Sequence, residues 1–342
     1  NYNILIDNST SKINIQFYDR PFFNKILNQE VLQNNLQRYS WLDLNVKKKL
    51  AKIKKGEWTL DGDLIIPDEY KLIINEGTSI DLNGHNIIVN APIFFMGKPK
   101  ERITIYQKNN LEVETGGLFI NSKNQKSEIS YVNFYNLRKV IDYLPGSITF
   151  YNSNIEINNA NFTYNFVADD YINLVNSNFI IQKSKFISTN QDAIDSDFSD
   201  GYIKETDFYT IGNDAIDFSG STAIIDDVKI SNTVDKGVSV GERSKVHINH
   251  IYLEDLKFGV ISKDLSELKI DNVKFENVEY LFAAYIKKKN YGPATIKFFD
   301  KNNFINKDNI IVDAKSEIFI ESNGKTKKYS NLNSNQIEFL IN

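Results

Sequence analysis

The sequence predicts an all-β fold: a right-handed parallel β-helix of coils about 22 residues long, behind a non-repetitive, partly helical N-terminal cap. Three observations predict it. The chain repeats at a fixed short period from Asp170 onward, with rungs starting at Asp170, Asp192, Asp214, Lys236, Phe258 and Tyr280. Each rung carries two or three short alternating segments parted by polar turns, with no 3.6-residue period between them, which excludes a βαβ sheet. The composition favours strands and turns: 23 Phe and 18 Tyr stand against 1 Met and 6 Pro, and Ile and Asn are abundant.

Taken in order, residues 1–56 do not repeat and read as an N-terminal extension and cap. Within them NVKKKLAKIKKG (45–56) is predicted as a short helix with Gly56 just past its end. Residues 57–310 form the β-helix. Leu64 to Val89 alternate well enough to enter it, and Ile148 to Phe166 resemble Ile172 to Asn190 at a spacing of 24. In the regular rungs Ile172, Ile194, Ile216, Val238, Val260 and Phe282 form one inward column. Phe186, Phe208, Ile230, Leu253 and Phe275 form a second, with a one-residue change of phase. Residues 311–342 are expected as ragged last coils or a C-terminal cap, since a solenoid needs its open ends covered.

Stacking turns equivalent positions into rows about 4.8 Å apart on the surface. Strand alternation predicts one outward row of small residues: Ala193, Ala215, Gly237 and Gly259 after Tyr171. A second reads Asn173, Asp195, Asp217, Ser239, Ile261, and a third Val175, Asp197, Ser219, Gly241, Lys263, Tyr285. Asp192, Asp195, Asp197, Asp214 and Asp217 therefore crowd two adjacent rungs. Two carboxylates about 5 Å apart repel by roughly 3 kcal/mol at an effective dielectric near 20, and by under about 1 kcal/mol in water. A partly buried cluster needs a cation, a lysine or a retained proton, and Ca2+ is the natural cation because it takes several oxygen ligands in flexible geometry. The competing reading makes Asp170, Asp192 and Asp214 turn caps that accept backbone N–H groups. Lys236, Lys263, Glu242, Asp264, Tyr285, Lys287 and Lys288 follow one to several rungs on. The lysines among them, with Tyr285, place a cationic end beside the acidic middle, suited to an anionic polymer. His247 and His250 fall on different faces of one strand and read as structural.

Several functions are excluded. With no cysteine there is no disulfide framework, thiolate metal site or cysteine nucleophile. A net charge of −4 gives no electrostatic footprint for nucleic acid. No apolar run approaches the roughly 20 residues of a membrane span. Phosphate-binding glycine loops, nucleophile elbows and zincin motifs are lacking. The opening at Asn1 without Met is expected of a piece of a longer chain, with any signal peptide or neighbouring domain out of view.

The succession DAIDSDFSDG, GNDAIDFSGS, DKGVSVGE, SKDLSE and AAYIKKKNYGPA resembles the parallel β-helix regions attached to bacterial spore-coat CotH-type kinase-like domains, over about Gly56 to Ile296. More distantly the chain is similar to the pectin-lyase-like superfamily. That superfamily holds polysaccharide lyases, hydrolases and uronate C5-epimerases, and its polyuronate lyases pair an acidic calcium site with a Lys or Arg base. The resemblance implies a carbohydrate-active β-helix acting on an acidic polysaccharide outside the cell or at its surface. Asp192, Asp195, Asp197, Asp214 and Asp217 would hold Ca2+, Lys236 or Lys263 would be the base, and Tyr285 the acid. Glu242, Asp264, Lys287 and Lys288 would contact substrate. The alternative is a non-catalytic glycan-binding or structural module accompanying a CotH-type domain, in which the Asp and Lys rows neutralise each other. The twin-Asp and Gly-His-Gly motifs of pectin hydrolases and the Asp-Pro-His-Asp arrangement of alginate epimerases are absent.

Overall fold

The structure is a computed structural model that describes residues 2–6, 9–13, 36–108, 112–141, 144–299, 305–337 and 340. The repeat does what its period requires: the chain winds a parallel β-solenoid of about 12 turns. Each turn lays strands on three faces. The first face runs from Leu64–Ile66 and Ile87–Val89 through Gly146–Tyr151, Asp170–Val175, Asp192–Asp197, Ile216–Ser219 and Lys236–Gly241 to Ile310–Val312. The second begins at Leu50–Ile53 and ends at Glu317–Ser322. The third begins at Glu57–Thr59. Long strands round a corner: Asp200–Ile211 pairs first with Asn178–Gln182 on the second face, then with Lys185–Thr189 on the third. Among the described residues no helix is long and apolar enough to cross a membrane.

Both inward columns lie where the sequence places them. Ile172, Ile194, Ile216, Val238, Val260 and Phe282 pair in unbroken register and are fully buried. Phe162, Phe186 and Phe208 stack with centroids 4.5 and 4.9 Å apart, and the phase change appears as Ile230 opposite Leu253. At the corner between the first and second faces a buried serine ladder closes the turns. The N–H of Ser153 donates to Ser177 Oγ, that of Ser177 to Ser199 Oγ, that of Ser199 to Ser221 Oγ and that of Ser221 to Ser244 Oγ, each at 3.0 Å. A corner N–H has no strand partner, so a hydroxyl one rung on satisfies it.

Two sequence expectations are corrected. The segment 45–56 is no helix: Leu42–Asn45 and Leu50–Ile53 form an antiparallel hairpin, and Leu50–Ile53 starts the second face against Lys71–Asn75. The spacing of Leu50 and Ile53 suits either structure, but only the strand buries Ala51 and Ile53 against the first coil while Lys52 faces water. The expected outward row of small residues points inward instead. Tyr171, Ala193 and Ala215 are fully buried in the main core, and a Cβ on Gly237 would meet Leu253 and Leu256. Two successive side chains face inward where the chain bends into the strand, so alternation fails for one step.

The ends differ. A two-stranded hairpin, Tyr2–Ile6 with Ser9–Ile13, forms a sheet of its own. At the other end Glu317–Ser322 is covered by the antiparallel strand Lys325–Tyr329, whose exposed lysines discourage pairing with another edge.

Candidate functional site

One row of outward side chains runs the length of the first face: Ile65, Ile88, Phe119, Thr149, Asn173, Asp195, Asp217, Ser239, Ile261, Ala283, Ile311. It is apolar at both ends and polar in the middle. Ile88 and Phe119 are covered by Val140 and Leu144. Ile261, Ala283 and Ile311 are covered by Ile337 and Leu340. The middle is polar: Asn173 and Ser239 are buried and Asp195 and Asp217 half-buried, so the sequence-predicted carboxylates line a partly covered trough.

Those carboxylates meet. Asp192, Asp214 and Asp217 bring oxygens within 4.8 Å of one another. The Nδ2 of Asn173 donates to Asp195 at 3.1 Å and Asp197 at 3.5 Å. Asp192 Oδ1 accepts from the Asp214 N–H at 2.8 Å and Asn213 Nδ2 at 2.7 Å, and Asp214 Oδ1 accepts from the Lys236 N–H at 3.1 Å. Asp192 and Asp214 are thus turn caps and cluster members at once. Asp170 joins them: it is buried, with one oxygen lacking a hydrogen-bond partner, as has Asp217 Oδ1. Burial above all, then neighbouring charge, raises the proton affinity of Asp170, Asp192, Asp195 and Asp197. Asp192 is pushed up to about 8 and Asp170 and Asp195 well above the usual range, while Asp197 is raised less far. Burial lifts Asp214 to about 6 against the pull of Lys236.

The lysines expected as bases are held as cations. Lys236 is buried, 3.3 Å from Asp214 and paired with Asp235. Lys263 is buried 3.6 Å from Asp217 and donates to Ser239 Oγ at 2.8 Å. Burial lowers the proton affinity of both, but the carboxylates outweigh it and the net shift is upward. An ammonium fixed in this way is the opposite of a general base. Tyr285 is fully buried, its hydroxyl donates to the Leu340 carbonyl at 3.3 Å, and burial raises its affinity for its proton. In this arrangement its hydroxyl is committed to the chain itself. Asp264 is also fully buried and serves the chain itself, accepting from the N–H groups of Lys287 at 2.7 Å and Lys288 at 2.6 Å. Glu242 pairs with Lys288 rather than Lys263 and accepts from Ser219 Oγ at 2.7 Å. Burial raises its affinity, yet Lys288 and Ser219 bring the net shift below the usual range.

Lys287 behaves differently. It is exposed, makes no ion pair among the described residues, and lies within electrostatic reach of Lys263, Lys236, Asp217 and Asp214. Partial burial of the amine within an otherwise exposed side chain, then the two neighbouring ammonium groups, lowers its proton affinity. The sequence reading grouped it with Lys288 and missed this contrast, because adjacency in sequence says nothing about which lysine finds a carboxylate. His247 and His250 are accounted for: His247 contacts Asp271 at 2.8 Å and His250 contacts Asp226 at 2.9 Å, both away from the trough. Surface depressions lie elsewhere as well, one of about 690 Å³ lined by His247, Lys269 and Phe319, and one of about 660 Å³ lined by Lys229, His250 and Tyr252.

No protein-family model and no curated protein sequence matches this chain. Among solved structures it is similar to tailspike protein 2 of the Escherichia coli O157:H7 bacteriophage CAB120, with a TM-score of 0.58 and 10% identity, over 81% of this chain and 43% of that one. This chain therefore spans less than half the tailspike's length. It is also similar to an alginate lyase from Paenibacillus sp. str. FPU-7 (TM-score 0.38, 12% identity, 67% of this chain and 86% of that one). A third is the catalytic domain of a GH87 α-1,3-glucanase (TM-score 0.40, 12% identity, 83% and 71%). The tailspike likeness establishes a shared fold. The resemblance to CotH-attached helices is carried by the sequence motifs alone.

Proposed function

We propose that this chain is a carbohydrate-active β-helix acting on an acidic polysaccharide laid along the carboxylate trough, outside the cell or at its surface. The reaction we assign is the C5-proton abstraction that uronate lyases and C5-epimerases share. What supports this is the position of Lys287, an amine of lowered proton affinity with no ion pair among the described residues, within electrostatic reach of the fixed cations Lys263 and Lys236 and of the carboxyl cluster at Asp217 and Asp214. Neutralising a uronate carboxylate makes the proton at C5 acidic. Lys236, Lys263 and the protonated Asp192 and Asp195 are the groups that would meet that carboxylate, and Lys287 would take the proton. In elimination the freed electron pair forms the C4–C5 double bond, the C4–O4 bond breaks, and O4 takes a proton from Asp192. In epimerisation a proton returns to C5 on the opposite face. Glu242 and Lys288 would touch sugar at the margin.

The all-oxygen donors Asp192, Asp214 and Asp217, with an oxygen of Asp217 left unpartnered, suit Ca2+. When bound there, with Asp195 and Asp197 adjacent, the ion would replace the proton of Asp192 and supply neutralisation of the substrate carboxylate, and O4 would then take its proton from solvent. The test is incubation with polygalacturonate, polymannuronate and polyguluronate, with calcium and with chelator. Absorbance at roughly 235 nm reports an unsaturated uronate, and deuterium exchange at C5 reports abstraction without elimination. Neither signal from any polymer would defeat the catalytic reading.

One observation favours a second reading. The pairs Lys236–Asp214, Lys263–Asp217 and Lys288–Glu242 neutralise one another between rungs, as a structural or glycan-binding module accompanying a CotH-type domain would need. Binding of a polymer without absorbance or exchange would select it.

A further inference from the structure

At the corner that follows the first face, one residue per rung takes a left-handed backbone: Asn152 (φ +46°), Asn176 (+48°), Phe198 (+50°) and Gly220 (+62°). They form a continuous ladder, the N–H of each donating to the rung ahead. Asn and Gly suit this conformation, and Asn176 Nδ2 donates to Asn152 Oδ1 at 2.6 Å. Phe198 does not suit it. A bulky residue at positive φ is strained, and strain of this kind persists where something else requires the residue. Burial does not require it here, because Phe198 is 69% exposed.

The ring has one covered face and one open face. Its covered face lies on Gly220, where a Cβ would stand 2.7 Å from Phe198 Cδ1. Its backbone directly follows Asp197, the last residue of the first-face strand, so the residue stands at the corner that bounds the acidic trough. A flat apolar ring beside a row of polar groups matches the two sides of a pyranose, which has a face of C–H groups and an edge of hydroxyls.

We propose that Phe198 is a sugar-stacking platform, a subsite on which one pyranose ring of a polysaccharide rests while its neighbour occupies the carboxylate trough. The proposal rests on the reading of the trough as a glycan site and names a residue that reading does not use. Gly220 is part of the device, since any side chain there would displace the ring.

The test is calorimetric titration of the full chain with tetragalacturonate, tetramannuronate and neutral cellotetraose, using wild type, Phe198→Ala and Phe198→Asn. Wild type is expected to bind, and both variants to bind about tenfold more weakly. The thermal midpoint of Phe198→Asn should equal or exceed that of wild type, because Asn relieves the strain. Phe198→Trp should keep affinity, and its added fluorescence should change on titration. Equal affinity of wild type and Phe198→Asn overturns the platform while leaving the trough reading intact. Binding of cellotetraose alone supports the platform and overturns the acidic-polysaccharide reading. Absence of wild-type binding to all three overturns both. Self-association of wild type in sedimentation, lost in Phe198→Ala, overturns the platform in favour of a contact between copies.

Discussion

Lys263 reaches two rungs back along the solenoid to Asp217: its Nζ lies 3.6 Å from Asp217 Oδ2 and donates to Ser239 Oγ on the rung between. The stem lies in space left by Gly241, where a Cβ would stand 2.6 Å from Lys263 Cε. Three rungs are thereby tied by one side chain whose charge is almost fully withdrawn from water. Removing one partner of such a pair strands the other. Lys263→Met is expected to cost about 3 kcal/mol in urea unfolding, and Lys263→Met with Asp217→Asn to recover most of that loss. A double variant no more stable than the single one would mean that packing, not charge, holds the lysine in place.

The acidic cluster makes stability fall as pH rises. Asp192 and Asp214 ionise near 3.8 in an unfolded chain, but are raised to about 8 and about 6 in the fold. The folded state therefore holds more protons between those values. Their contribution is fully present below about pH 4 and is lost as pH rises through about 6 and then 8. Asp192→Asn keeps an oxygen for Asp214 N–H and Asn213 Nδ2 and cannot ionise. It should raise the thermal midpoint at about pH 8 by about 2 °C or more and flatten the decline from about pH 5. Calcium should raise the midpoint of wild type and leave this variant unmoved. Identical pH slopes for the two proteins would show that the cluster is neutralised in some other way.

The serine ladder carries a cost for each rung. Ser221 Oγ accepts from Ser199 N–H at 3.0 Å and donates to the Ser196 carbonyl at 2.7 Å. Ser221→Ala leaves a buried N–H without a partner and should cost about 1 to 3 kcal/mol. An alanine at exposed Lys274, in the same protein, should cost almost nothing. Equal stability of Ser221→Ala and wild type would mean that water replaces the hydroxyl.

The columns Ile172 to Phe282 and Phe186 to Leu253 were legible because inward positions repeat by identity and spacing together. The grouping of Asp192, Asp214 and Asp217 was legible for the same reason: register alone brings equivalent residues within one strand spacing. Direction at a corner was not legible. Tyr171 and Ile172 both face inward, a break in alternation that only the bend imposes. Pairing between rungs was legible only in part: Lys236 meets Asp214, as mutually neutralising rows require. Lys263 passes over Ser239 to Asp217, and Glu242 goes to Lys288, choices set by side-chain length and by the small residues at Ser239 and Gly241. The serine ladder at Ser177, Ser199 and Ser221 had a visible signal at the 22-residue period. So had Phe198, which stands one period after an asparagine in a column of turn residues.

Lys287 tests the chemistry most directly. Lys287→Arg keeps a cation near Lys263 and Lys236 but removes the base, because a guanidinium does not lose its proton in a protein. C5 exchange should fall by about a hundredfold or more, with affinity for oligouronates nearly kept. Lys288→Ala breaks the pair with Glu242 and should weaken binding while sparing exchange at saturation. The pH dependence follows from the sign of the shift. A base acts when neutral, so exchange should rise with pH as Lys287 gives up its proton, below the ordinary lysine range because burial and two neighbouring ammonium groups repel that proton. Lys263→Met removes one of those charges, so the rising limb should move to higher pH, and added salt should move it the same way by screening. A limb that stays fixed in both experiments would assign the proton transfer to a carboxylate of the cluster and leave Lys287 as a binding residue.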